Sequence, residues 1–259
     1  MSIKESLSLA GKRGLVVGIA NTHSIAWGCA QALHEMGAEL AITWLNEKAR
    51  AHVEPLAQQV QASVRMPLDV TRPGELEALF EHITEQWGSL DFVVHCLASA
   101  PKEEIQGRLL DSSSSGFLQA MNISCHSFIR MAHMAEPLMP QGGSLVTMSY
   151  LGAQETIEGY ALMGPVKAAL ESSVRYLATE LGPRNIRVHA ISPGPMLTRA
   201  ASGLKDFDHL LQTSTDRAPL RRLVSLEEVG NLCAWLVSNA SQGQTGGIHF
   251  VDGGLNILG

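Results

Sequence analysis

The chain has 259 residues, of which 45% are hydrophobic, 17% charged and only 5% aromatic. Its 25 acidic residues outnumber 19 basic ones, giving a formal charge of −6 and arguing against the basic face of a nucleic-acid binder. That length suffices for one large α/β domain with a sizeable core. The first residues, Met1-Ser2-Ile3-Lys4-Glu5-Ser6, lack the apolar centre of a signal peptide. No run reaches the roughly 18 consecutive apolar residues of a membrane helix. A cytoplasmic protein without a membrane anchor is expected. Cys29, Cys96, Cys125 and Cys233 are scattered without C-x-x-C spacing, so they read as reduced, mostly buried thiols, with no metal site expected.

Seven short apolar runs read as strands. In chain order they are Leu15–Gly18, Leu40–Trp44, Ser63–Met66, Phe92–Cys96, Ser144–Met148, Arg187–Ile191 and Ile248–Val251. Helical patterns separate them. Ser24 to Met36 places Ile25, Cys29, Leu33 and Met36 on one stripe, with Gly37 as a stop signal. The serine run 112–115 reads as the opening of another helix. Such alternation implies parallel strands joined by right-handed crossovers. The expected fold is a single Rossmann-type, doubly wound α/β domain over 1–259, a seven-stranded parallel sheet with helices on both faces.

In such sheets a ligand sits at the carboxyl ends of the strands, beside the first βα turn. Here that turn runs from Gly18 to Gly28 and is not G-x-G-x-x-G. Ser24 is placed to cap the helix, whose N-terminus would favour a pyrophosphate. The turn alone is equally compatible with an ordinary βα loop. After the second strand stands Trp44-Leu45-Asn46-Glu47-Lys48. No cation occupies 44–46 to meet a 2′-phosphate, so NADH is favoured over NADPH, with Lys48 and Arg50 as the remaining candidates for NADPH. Asp69, past the third strand, is placed either to accept from an adenine amino group or to cap the next helix.

The chain has only three tyrosines, Tyr150, Tyr160 and Tyr176, all in one stretch. Tyr160 and Lys167 are expected on one helix face, separated by roughly 10 Å of rise, with Gly164 between them. A tyrosine hydroxyl can donate to a developing oxyanion, and a neighbouring ammonium would lower its pKa from about 10. Lys167 could also bond ribose hydroxyls. Tyr176 reads as packing. Pro165 would break an established helix at a cost of about 3 kcal/mol, so regular helix is expected to begin near Met163 or Gly164.

These residues, with Ser149-Tyr150-Leu151-Gly152-Ala153, Tyr160…Met163-Gly164…Lys167, Gly194-Pro195…Thr198, Ala200-Ala201-Ser202-Gly203 and Val251-Asp252-Gly253-Gly254, carry a resemblance. The chain resembles the short-chain dehydrogenase/reductase superfamily and, within it, the bacterial enoyl-acyl-carrier-protein reductases. Ordinary members carry Y-x-x-x-K. The Y-x6-K spacing, with a Ser-Tyr pair whose tyrosine lies ten residues earlier, marks the enoyl reductases.

The resemblance implies hydride transfer from NADH to C3 of a trans-2-enoyl thioester, a step of fatty acid elongation. It implies Tyr160, Lys167 and Tyr150 as the catalytic group, with Tyr160 holding the enolate oxygen. Gly18, Ser24, Ile25, Leu45, Asp69, Val70, Ala98, Lys167 and Thr198 fall at cofactor-contacting positions. Tyr150, Met163, Ala98 and Ala200 fall around the acyl group, under a substrate-covering segment at about 196–218. An acyl-carrier-protein thioester and a homotetramer are likewise implied.

Four positions depart from the family pattern. Leu45 stands where a Gln is frequent. Ala98-Ser99 replaces a Gly usually followed by an aromatic, which should narrow the nicotinamide side and exclude stacking inhibitors such as triclosan. Pro193, like Asn122, is closer to the ordinary dehydrogenases. Asp208 puts negative charge where an acidic carrier protein would dock. The alternative function is a carbonyl/alcohol oxidoreductase of the same fold, on a keto-acyl or steroid-like substrate. A non-catalytic nucleotide-binding paralogue is disfavoured by the intact Tyr160–Lys167 pair.

Overall fold

The computed structural model describes residues 2–198 and 207–258. All seven expected runs form strands: β1 (Arg13–Val17), β2 (Glu39–Trp44), β3 (Val64–Pro67), β4 (Phe92–His95), β5 (Gly143–Met148), β6 (Ile186–Pro193) and β7 (Ile248–Val251). They pair in the order β3-β2-β1-β4-β5-β6-β7, and every pairing is parallel. Near-continuous burial of β1, β2, β4 and β5 explains their unbroken apolar runs, because helices cover both faces.

The helices are α1 (Ile3–Leu7), α2 (Ile25–Glu35), α3 (Glu47–Gln59), α4 (Glu75–Trp87), α5 (Lys102–Gln106), α6 (Ser114–Met121), α7 (Ser127–Ala135), α8 (Met163–Leu181), α9 (Phe207–Arg217) and α10 (Leu226–Val237). No helix among the described residues is long and apolar enough to cross a membrane. Ser113 caps α6 by accepting from the Gly116 N–H at 3.0 Å, so the serine run does open a helix. A π-helical turn, Asn122–His126, joins α6 to α7.

The core divides into one layer on each sheet face. Leu33, Ile42, Trp27 and Cys233 belong to the layer under α2 and α10; Leu79, Phe128, Met131 and Leu170 belong to that under α4, α7 and α8. Gly28 inside α2 has a packing reason. A Cβ there would stand 2.5 Å from the Leu226 carbonyl oxygen, while one on Gly230 would stand 2.3 Å from the Gly28 oxygen. The two glycines let α2 and α10 touch backbone to backbone.

Strand order reverses between β1 and β4, which opens a crevice at their carboxyl ends. Pro165 is the third residue of α8, within the first turn, where its missing N–H costs little. The expected helix start near Met163 is therefore observed.

Candidate active site

The β1 end of the crevice is built from backbone. Gly18 has φ +104°, and a Cβ on it would lie 2.3 Å from the Cys96 carbonyl oxygen, just past β4. Only glycine allows this close approach. Ser24 stands at the N-cap of α2, but its side chain makes no capping bond. Its Oγ instead accepts from the Ala20 and Asn21 N–H groups at 2.9 and 3.1 Å. The expected cap is corrected to a clamp across the preceding loop. The serine side chain thereby leaves the Ile25 and Ala26 N–H groups uncapped, at a helix terminus that favours an anion. Ile25 follows directly as the first residue of α2.

After β2, Leu45 is 55% exposed and offers no polar side chain. Asn46 caps α3 by accepting from the Ala49 N–H. The Arg50 guanidinium lies 5.2 Å from the Trp44 ring centroid and pairs with Glu47 and Glu54 at 3.5 and 3.7 Å. These contacts hold the Arg50 cation back along α3. Asp69 does not cap α4, whose N-cap is Gly74. Its Oδ1 accepts from the Thr71 N–H and hydroxyl at 2.9 and 2.6 Å, and the Glu75 carboxylate accepts from its N–H at 2.6 Å. Val70 is buried, with its carbonyl accepting from Arg130 at 2.6 Å.

After β4, Ala98 is exposed. The neighbouring Ser99 N–H donates to Ser124 Oγ at 3.0 Å, and Ser124 Oγ donates to the Ser99 carbonyl at 3.2 Å. Thr198 is partly buried, its N–H donating to the Met196 carbonyl at 2.7 Å. Ala200, together with 201–203, lies outside the described residues, and so does most of the proposed covering segment before α9.

The tyrosine–lysine group differs from the expectation. Tyr160 is not on the helix with Lys167; α8 begins at Met163, and Tyr160 occupies the turn before it. Gly159 at φ +74° and Ala161 at φ +21° make that turn, the latter a sparsely populated conformation for a residue with a side chain. The Tyr160 ring meets the Tyr150 ring edge-on, with centroids 4.8 Å apart at 62°. Gly152 lies beneath it, where a Cβ would fall 2.4 Å from the ring. Met163 is buried beside Ala120, Leu162 and Val166, with Tyr160 packed against the cluster.

Lys167 is 4% exposed, and its Nζ donates to the Met148 carbonyl at 2.6 Å. Burial pulls the ammonium pKa down to about 8, against the opposing pull of Cys96, Cys125 and Glu171. The expected lowering of Tyr160 by this ammonium is not found. Burial first and Tyr150 second raise the Tyr160 phenol well above its ordinary value, and burial raises Tyr150 to about 12. Both hydroxyls therefore stay protonated and serve as donors. Tyr176 is 71% exposed on α8, so its expected packing role is also corrected.

Two features were missed by sequence reasoning. The Met148 carbonyl anchors Lys167, and buried Glu171 accepts from Ser149 Oγ at 2.6 Å and from Gln154 Nε2 at 2.9 Å. The i,i+4 relation of Lys167 and Glu171 was the available signal for the second.

The carboxyl side of the sheet thus carries bare backbone at Gly18, the N-terminus of α2 and the buried Lys167 ammonium at the end of β5, groups of the kind a dinucleotide uses. A family model described as enoyl-(acyl carrier protein) reductase matches residues 18–256. The chain is 49% identical to enoyl-(acyl-carrier-protein) reductase (NADH) 1 of Rhizobium meliloti, over 96% of this chain and 92% of that one. Among solved structures, the Anaplasma phagocytophilum enoyl-(acyl-carrier-protein) reductase in complex with NAD superposes with TM-score 0.93 at 45% identity, covering 97% of this chain and 96% of that one. The Bacillus cereus enzyme with NADP+ and indole naphthyridinone gives TM-score 0.95 at 43% identity, covering 97% and 98%. With its Tyr150–Tyr160 pair and buried Lys167 set at the carboxyl edge of a seven-stranded parallel sheet, this chain belongs to the enoyl-(acyl carrier protein) reductase family.

Proposed function

We propose that the protein reduces the C2=C3 bond of trans-2-enoyl thioesters carried on an acyl carrier protein, with NADH as reductant, in fatty acid elongation. The observation that carries this reading is the Tyr150–Tyr160 ring pair, with the buried Lys167 following Tyr160 in Y-x6-K spacing. When bound, NADH supplies the hydride that reaches C3.

The chain's own residues do the rest. As hydride arrives, the C2=C3 electron pair moves toward the thioester oxygen. The Tyr160 hydroxyl donates to that oxygen while its charge develops, which is usually the largest contribution in such catalysis. Its raised pKa keeps the proton on the phenol, so Tyr160 would hold the enolate oxygen while C2 is protonated by solvent water. Lys167 would bond the cofactor ribose and add positive potential. Gly18, Ser24 and Ile25 would receive the pyrophosphate; Asp69 and Val70 would border the adenine, and Leu45 the adenosine ribose. Ala98 and Thr198 would flank the nicotinamide. Tyr150, Met163, Ala98 and Ala200 would surround the acyl chain beneath the 196–218 segment. Retention of Arg50 by Glu47, Glu54 and Trp44 supports NADH over NADPH. A cytoplasmic homotetramer is the accompanying expectation.

The test is absorbance at the nicotinamide band with crotonyl and longer 2-enoyl thioesters, on both CoA and carrier protein. Oxidation of NADH by the wild type, lost in Tyr160→Phe, is expected. Reduction of ketones with enoyl thioesters left untouched would establish the carbonyl-reducing alternative instead.

A further inference from the structure

Glu171 is a buried carboxylate that the reaction as described does not use. It is 4% exposed, on the inward face of α8, one turn after Lys167. A charge so placed is costly unless it is paired and hydrogen-bonded. Both oxygens are engaged: Oε1 accepts from Ser149 Oγ at 2.6 Å and Oε2 from Gln154 Nε2 at 2.9 Å. Those two donors are the two ends of one short loop. Between them lie Tyr150, which meets the Tyr160 ring, and Gly152, on which that ring rests. Just before Ser149 is Met148, whose carbonyl accepts from Lys167 Nζ. One carboxylate therefore holds both ends of the loop that carries Tyr150 and Gly152.

We propose that Glu171 is a positioning residue, clamping both ends of the 149–154 loop so that Tyr150, Tyr160 and Lys167 keep their mutual geometry, and serving as buried counter-charge to the Lys167 ammonium. The proposal rests on the enoyl-reductase reading above and assigns a second layer to that site. The groups that face Lys167 are Glu171 on its own helix, Cys125 from the π turn, Cys96 after β4 and His95 on β4. A hydrogen bond with Cys29 and then burial raise the Cys96 thiol, burial raises that of Cys125, and burial keeps His95 neutral at ordinary pH. Glu171 is the carboxylate among them, and its loss should let the Lys167 proton go at lower pH.

Two variants separate the clamp from the charge. Glu171→Gln keeps the size and both hydrogen bonds, since the Gln154 amide can turn to present its oxygen. It should move the alkaline limb of kcat that Lys167 sets to lower pH, since an opposite charge nearby favours the charged form. Its kcat at pH 6.5 should fall less than about fivefold, because the neutral bonds that remain are only modestly weaker than charge-assisted ones. Ser149→Ala releases one end of the loop and keeps the charge. It should lower kcat roughly three- to tenfold with the alkaline limb in place. Thermal melts accompany each assay. A wild-type limb and kcat in folded Glu171→Gln would overturn the proposal, as would activity losses that merely follow the folded fraction. Should Glu171→Gln not fold, Ser149→Ala and Gln154→Leu decide, and undiminished kcat in both would overturn it. Failure of the underlying reading looks different: the wild type itself would then reduce no 2-enoyl thioester.

Discussion

The loop after β1 and the loop after β5 stand on the same edge of the sheet and are stabilised by different means. The first is held by backbone: Gly18 against the Cys96 carbonyl, two N–H groups on Ser24 Oγ, and the start of α2. The second is held by buried side chains: a lysine on a strand-end carbonyl, a glutamate across a loop, one tyrosine ring against another. A backbone cradle suits a pyrophosphate, whose charge is permanent and can be met by fixed dipoles. Charge that exists only during reaction needs donors whose direction and protonation are set in advance. The contrast predicts that lesions in the first loop act on cofactor binding and lesions in the second on turnover.

The largest expected effect is on turnover. Tyr160→Phe should lower kcat about 10²- to 10³-fold with NADH affinity little changed, measured by steady-state assay and fluorescence titration. Loss of NADH binding in this variant would erase the distinction between the loops. Gly18→Ala should do the reverse. Its φ of +104° strains alanine by about 1–3 kcal/mol, and the added carbon collides with a carbonyl oxygen. NADH affinity should drop at least about tenfold, with a lower Tm.

The pH response probes the second loop. Lys167 is charged below about pH 8, so kcat should be flat near neutrality and decline as pH rises through that value. In acid a different pair acts. His95, bonded to Thr147 and Ser127, and His189, bonded to His249, are pulled down to about 3 by burial. Their unfolded values are near 6.5, so the unfolded chain takes up protons that the folded chain refuses. Stability should fall as pH drops from about 6.5 toward 3, visible as a declining Tm. The mildest lesion is Ser24→Ala, which frees the first loop without strain and should weaken NADH about three- to tenfold, at unchanged kcat.

Much of the fold was legible because its signals are local. Each strand declared itself as an apolar run, and the start of α8 followed from Pro165 alone. Tyr160 was read as helical but stands in the turn before α8, since the periodicity of Met163 to Leu181 extends by eye through a turn that Gly159 and Ala161 close. Ser24 was read as a cap because the serine at an N-cap position is ambiguous; which N–H groups it meets depends on how the loop doubles back. Tyr176 looked like packing because an aromatic on a helix usually is, and its exposure depends on what lies opposite.

By itself the sequence determined the strand–helix alternation, the parallel sheet that alternation requires, and a tyrosine–lysine pair at a distinctive spacing. These depend on residues close along the chain and on the period of their side chains. Tertiary structure decided the rest: that residue 18 must be bare because residue 96 passes beside it, that Lys167 hangs on the carbonyl of Met148, and that Glu171 grips Ser149 and Gln154. Those contacts join separate segments, and their burial and electrostatics exist only once the sheet has brought the segments together.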